Sequence, residues 1–126
     1  MTLAYWCVLL TILLPYAFTI TAKIKGRFRP RDNRNPRDFL DQLDGVAKRA
    51  HWAQLNTFES VPGFAAAVII AHLSHGTQGT IDSLAVAFVV IRIGFGLAYI
   101  ADMPRLRSAL WFAGLACVIG LFFTGV

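Results

Sequence analysis

The residues able to do chemistry in this chain stand in apolar surroundings. Glu59 and Arg92 each lie in a stretch long enough to cross a membrane, with Gln54, Asn56 and Tyr99 in the same stretches. A charge at membrane depth costs at least about 2.5–3.5 kcal/mol, so it is kept where it pairs, lines a polar cavity or carries function. A second group, Arg105, Arg107 and Ser108, stands where the last apolar stretch begins. The free amides and positive dipole end of a helix N-terminus favour an anion there. Tyr99, Arg107 and Ser108 would then converge at one mouth beside a basic loop. Charge at the mouth and apolar surface around it suit an anionic ligand with a hydrophobic reaction partner. The other reading of the two arginines is that they anchor topology at a membrane surface.

Four helices must position these side chains. Of 126 residues, 56% are hydrophobic, more than the roughly 45–50% of an ordinary soluble domain. The chain reads as one all-α domain, an integral membrane four-helix bundle with spans at about 3–22, 52–72, 81–101 and 108–123. Twenty apolar residues suffice to cross a hydrocarbon core of about 30 Å. No charged side chain occurs from Met1 to Ala22 and no basic residue precedes the apolar run, so a retained helix is expected rather than a cleaved leader. Pro15 and Pro62 fall inside spans and should bend them. Asn35-Pro36 predicts the start of a second helix, with Asn as cap and Pro in the first turn; it would begin amphipathic and turn apolar from Trp52 to His72. Cys7 and Cys117 lie in apolar stretches and read as buried free thiols. No Cys or His spacing suggests a metal, and His72 and His75 flank a polar turn near the membrane surface.

The charge is unevenly placed. Residues 23–49 hold Lys23, Lys25, Arg27, Arg29, Arg31, Arg34, Arg37, Lys48 and Arg49 against Asp32, Asp38, Asp41 and Asp44. A basic loop tied between spans is a poor nucleic-acid site and a good topology signal, since such loops stay cytoplasmic. Both termini would then lie on the non-cytoplasmic side. Glu59 is ten residues past Arg49, and Arg92 ten residues before Asp102. At about 1.5 Å per residue each charge is about 15 Å from the same boundary. A Glu59–Arg92 ion pair, structural or functional, within a chain or across a subunit boundary, is therefore expected. Arg49, Trp52, Asn56, Glu59 and Gly63 recur every three or four residues and share one helix stripe; Arg92, Phe95 and Tyr99 share another. Gly94 and Gly96 would let helices approach closely.

These residues resemble a known family, the membrane-associated proteins in eicosanoid and glutathione metabolism (MAPEG). The run Arg49-Ala50-His51-Trp52-Ala53-Gln54-Leu55-Asn56-Thr57-Phe58-Glu59-Ser60-Val61-Pro62 is similar to the family's Arg/Ala-rich run leading into Asn-x-x-Glu and a proline. Asn35-Pro36-Arg37-Asp38 resembles Asn-Pro-Glu-Asp at the start of helix two. Arg92-x-x-Phe95-x-x-x-Tyr99 resembles Arg-x-x-His-x-x-x-Tyr on helix three, and Arg107-Ser108 the Arg-Ser opening helix four. The resemblance implies a homotrimer with sites between subunits near the cytoplasmic face, in a bacterial-type member placed in the inner membrane. It implies glutathione as co-substrate, contacted by Arg27, Asn56, Glu59 and Tyr99, with Arg107 and Ser108 holding its sulfur as a thiolate. Leu55, Phe95 and Trp111 depart from the family pattern, standing where a basic residue, a His and a Tyr are expected. The turn from Tyr99 to Arg107 is one residue shorter than in the prostaglandin synthase pattern, and the proline follows Glu59 one residue early.

Two functions from different classes follow. One is a glutathione-dependent transferase or peroxidase acting on hydrophobic electrophiles drawn from the bilayer. The other is a non-catalytic membrane protein that binds lipid or another small anion on the same scaffold. A proton-coupled exporter, suggested by four short spans and one membrane carboxylate, fits less well, because a paired Arg92 would hold Glu59 ionised.

Overall fold

The structure, a computed structural model, describes residues 1–126. It is all-helical, with helices α1 (Leu3–Lys25), α2 (Pro36–Asp41), α3 (Gly45–Leu73), α4 (Gln78–Ile100) and α5 (Pro104–Phe122), and a 3-10 turn at Pro30–Arg34. The four long helices pack side by side: α1 on α3 and α4, α4 on α3 and α5, and α3 on α5. Three of them, α1, α4 and α5, are long and apolar enough to cross a membrane. α3 has the length, at 29 residues, but Gln54, Asn56 and Glu59 lower its hydropathy.

Alanines set the spacing of the core. Ala4, Cys7, Phe64, Ala67, Val68, Ala71, Ile81, Ala85, Phe88, Cys117 and Leu121 form one buried cluster at the end away from the basic loop. Phe64 and Phe88 stack within it, ring centres 4.1 Å apart. Both cysteines are free and buried. At the contact of α1 and α4, Gly96 lies under the Phe18 ring so closely that a Cβ there would collide with it. Small residues at such crossings allow the dispersion contact that drives helix association where lipid removes the hydrophobic advantage. Outside this core, Leu10, Leu13, Ile20, Val90, Leu97, Phe112, Ile119 and Phe123 point away from the protein. So much exposed apolar surface would be a liability in water and is ordinary in a bilayer.

Caps explain where the helices begin and end. The α1 amide of Ala4 donates to Asp82 Oδ1 of α4 at 2.9 Å, and Thr2 Oγ1 lies 3.0 Å from His72 Nε2 of α3. One end of α1 is thus fastened to two other helices, satisfying donors that a helix start leaves free. Asn35 caps α2 as its sequence predicts, Oδ1 accepting from Asp38 N at 3.3 Å, with Pro36 behind it.

The helix expected to run on from Asn35 is instead two helices. α2 stops at Asp41, and α3 starts at Gly45, whose φ is +53°. The break lets Leu40 fold beneath the segment against Ala22 and Ala50, a small second core at the basic end. Pro15 and Pro62 both lie inside helices that continue through them. A second difference concerns α5, which begins at Pro104 rather than Ser108. Asp102, at φ 58°, makes the turn, and the amide of Arg107 already donates to Met103 O at 2.9 Å. Any anion held by Arg107 and Ser108 must therefore rely on their side chains rather than on free amides.

Candidate functional site

Asn56, Glu59, Ser60 and Gly63 of α3 form one wall of a cavity of about 260 Å³; Phe88 and Arg92 of α4 and Trp111, Gly114 and Leu115 of α5 form the others. The polar stripe of α3 thus opens into the space between three helices. Arg92 is its most buried polar element, at 2% exposure. Its Nη2 donates to Asn56 Oδ1 and to Thr57 Oγ1, both at 3.0 Å, and its guanidinium carbon lies 4.1 Å from the centre of the Phe95 ring. Its Nε is buried without a partner.

The Glu59–Arg92 ion pair does not form within the chain. No carboxylate approaches Arg92 within 4.0 Å, and the one close ionisable contact is His51 Nε2 to Asp41 Oδ1, at 3.4 Å. Equal depth, which the helical rise supplies, does not fix azimuth. Arg92 points inward at Asn56 and Thr57, whereas Glu59, one turn further along α3, lies at the outer edge of the cavity and is exposed. Arg49, assigned to the same stripe, also leaves it: its Nε donates to Ile100 O at 2.9 Å and caps the end of α4.

A second, shallower hollow of about 210 Å³ holds Arg107 and Ser108 with Phe95, Trp111 and Phe112. Arg107 lies over the Tyr99 ring, its guanidinium carbon 4.6 Å from the centre. Tyr99 also meets Phe95 edge-on at 5.7 Å and lies 6.3 Å from Trp52. The aromatic face holds the guanidinium by cation–π attraction and leaves its N–H groups without an intramolecular acceptor. The chemistry available is anion binding next to an apolar wall. Arg27, on the basic loop, lies apart in a third hollow with Lys25, Phe39, Leu43 and Gly45.

One chain therefore brings the sequence-predicted residues together in groups. Asn56 and Glu59 share the cavity with Arg92; Tyr99, Arg107 and Ser108 share the mouth; Arg27 stands alone. Trp111, which lines both the cavity and the mouth, joins the first two groups. Thr57 is the neighbour of Arg92 that the motifs did not single out. It is fully buried and bonded to Arg92, and the only sequence sign of it is its place beside Asn56.

The MAPEG family model matches residues 3–126. No curated protein matches the chain. The family resemblance read from the motifs is thus borne out over essentially the whole sequence: the chain belongs to the MAPEG family and is an integral membrane protein.

Proposed function

We propose that this MAPEG-family chain is a four-span homotrimer that joins glutathione to hydrophobic electrophiles or uses it to reduce hydroperoxides. The observation that carries this reading is the Arg107–Ser108 hollow, where an unpaired guanidinium over Tyr99 faces the apolar walls of Phe95, Trp111 and Phe112. A free thiol titrates near pH 8.5, and an adjacent fixed positive charge lowers that value toward neutrality. Arg107 would supply the charge and Ser108 a hydroxyl donor to the sulfur. In conjugation, the thiolate attacks an electrophilic carbon, the new C–S bond forms, and the leaving group departs with the electron pair. Asn56 and Glu59 would meet the tripeptide's other end, Glu59 near its amino group, and Tyr99 its carboxylate end.

Two features support assembly with further copies. Glu59 is exposed at membrane depth, where a carboxylate must face protein or a water-filled cleft rather than lipid. Arg27 lies in a hollow of its own, so an adjacent copy would have to bring it to the Asn56 and Tyr99 groups. On this reading the basic loop faces the cytoplasm of a bacterial inner membrane, with both termini on the other side, and the hydrophobic substrate arrives from the bilayer.

The second reading is a non-catalytic binder of lipid or another small anion. It is favoured by Asn56, whose carbonyl oxygen is already engaged by Arg92, and by the loss of polar side chains at Leu55, Phe95 and Trp111. Calorimetric titration of glutathione into the detergent-purified protein, beside Arg107→Ala, separates the two. Saturable binding that weakens at least tenfold in the variant, with conjugation of 1-chloro-2,4-dinitrobenzene lost and assembly kept, is expected. Turnover unchanged in Arg107→Ala refutes the thiolate role; absence of both binding and turnover in the folded wild type leaves the binder.

A further inference from the structure

The loop between α1 and α3 is folded down on the end of the helices rather than extended from it. A Cβ at Gly26 would collide with Leu43 and crowd Phe39, so side chains of the segment from α2 to the start of α3 lie against the end of α1. Beneath it lie Leu40, Ala22 and Ala50, and Phe28 meets Phe39 edge-on at 5.0 Å. The segment is thereby held at the end of an apolar helix that is long enough to cross a membrane.

Its charges are arranged unequally. Three of its four acids are engaged within the loop, and Asp44, at the start of α3, makes no side-chain hydrogen bond. Asp32 Oδ2 accepts the Arg29 amide at 2.7 Å, Asp38 Oδ2 accepts from Gln42 Nε2 at 3.1 Å, and Asp41 meets His51 at 3.4 Å. The arginines are not. Arg29, Arg31, Arg34 and Arg37 are all exposed, and none of their guanidinium groups lies within 4.0 Å of a carboxylate. Lys48, by contrast, is turned inward onto the Leu40 and Asp41 carbonyls at the end of α2. The fold turns Asp32, Asp38 and Asp41 onto partners inside the segment and leaves the four guanidinium groups free near the end of the span.

We propose that Arg29, Arg31, Arg34 and Arg37 form a docking collar for the phosphate headgroups of acidic phospholipids in the adjoining leaflet. Guanidinium matches a phosphate diester with two parallel hydrogen bonds. Basic side chains next to a span are attracted to acidic leaflets, and the attraction falls away within a Debye length. A topology signal alone would need only the charge and would show no preference among lipids once the protein is inserted. The packing of the segment onto the helix ends and the internal engagement of Asp32, Asp38 and Asp41 are what predict such a preference. None of the four arginines is among the proposed glutathione residues, although Arg27 lies on the same loop, so substituting them leaves Arg27 in place and the two readings can fail independently.

The test titrates short-chain phosphatidylglycerol, or phosphatidylcholine of the same length, into the detergent-solubilised full chain, with occupancy read by native mass spectrometry. Each arginine contributes about fivefold to association with an acidic leaflet, which sets the ceiling for single lipids bound in a micelle. Replacing three of them, Arg31→Gln, Arg34→Gln and Arg37→Gln together, should weaken phosphatidylglycerol binding by between about 10-fold and about 100-fold at the same salt. Phosphatidylcholine occupancy, the melting temperature and glutathione titration should not change. Raising the salt should shrink the difference between wild type and variant. Equal occupancy by the two lipids in the wild type overturns the proposal, as does a phosphatidylglycerol preference that survives the triple substitution. Displacement of the lipid by millimolar inorganic phosphate would assign the collar to a soluble anion and overturn the lipid assignment.

Discussion

Replacing Arg92 by methionine and Thr57 by valine, singly and together, asks whether the buried guanidinium is held where the geometry puts it. Arg92→Met alone is a poor test. It removes two hydrogen bonds, but it also relieves the desolvation of a buried charge, and the two effects oppose each other by similar amounts. The double-mutant cycle isolates the contact. A hydrogen bond to a charged group is worth about 1.5–3 kcal/mol in soluble proteins, whereas interhelical hydrogen bonds in membrane proteins average about 0.6 and reach about 1.7 kcal/mol. The Arg92 Nη2 to Thr57 Oγ1 distance is 3.0 Å with both residues buried, so the contact is largely shielded from solvent and the donor is ionic. That places the expected coupling near the top of the membrane range, about 1–2 kcal/mol. A parallel cycle with Glu59→Gln should give less coupling than the Thr57 cycle, because Glu59 shares the cavity with Arg92 but no carboxylate lies within 4.0 Å of it. Both cycles are read by equilibrium unfolding in detergent. Additive Arg92 and Thr57 substitutions, together with coupling above about 1 kcal/mol between Arg92 and Glu59, would refute the reasoning and restore the ion pair.

Other outcomes follow from particular contacts. Asp82→Ala removes the acceptor of the Ala4 amide and of Gln78 Nε2, both at 2.9 Å; it should lower stability by about 1–2 kcal/mol, the usual loss of a helix cap, and hasten amide exchange in the first turn of α1. Gly96→Ala drives a Cβ into the Phe18 ring, an overpacking worth about 1–3 kcal/mol; Phe18→Leu in the same chain should recover part of the lost melting temperature. If Gly96→Ala alone melts like the wild type, α1 and α4 are not packed as described.

Several features were legible because they are local. Runs of apolar residues about twenty long set the helical, membrane-embedded class, since a bilayer demands internally satisfied backbone over that length. Asn35-Pro36 announced a helix start because a cap needs only its own next turn. The motifs around Asn56, Arg92 and Arg107 were sufficient to place the chain in its family, because they fix residue types at helical spacing.

What the sequence left open depends on azimuth and on contacts between distant residues. Depth along a helix follows from a constant rise, which is why Glu59 and Arg92 could be set at one level. Which way each side chain turns follows from how α3 and α4 are rotated against each other, and that rotation sends Arg92 to Asn56 and Thr57 instead. The break between α2 and α3 was written only as Asp44-Gly45, a turn signal that tertiary packing of Leu40 under the loop made decisive. Asp82 caps a helix start 78 positions away in the chain, a partnership no local pattern encodes. The residue types on which the proposed anion chemistry rests were thus legible in the sequence. Their division into a cavity, a mouth and an outlying hollow was decided by the packing of α3, α4 and α5, because side-chain reach of a few ångströms is set by where neighbouring helices lie.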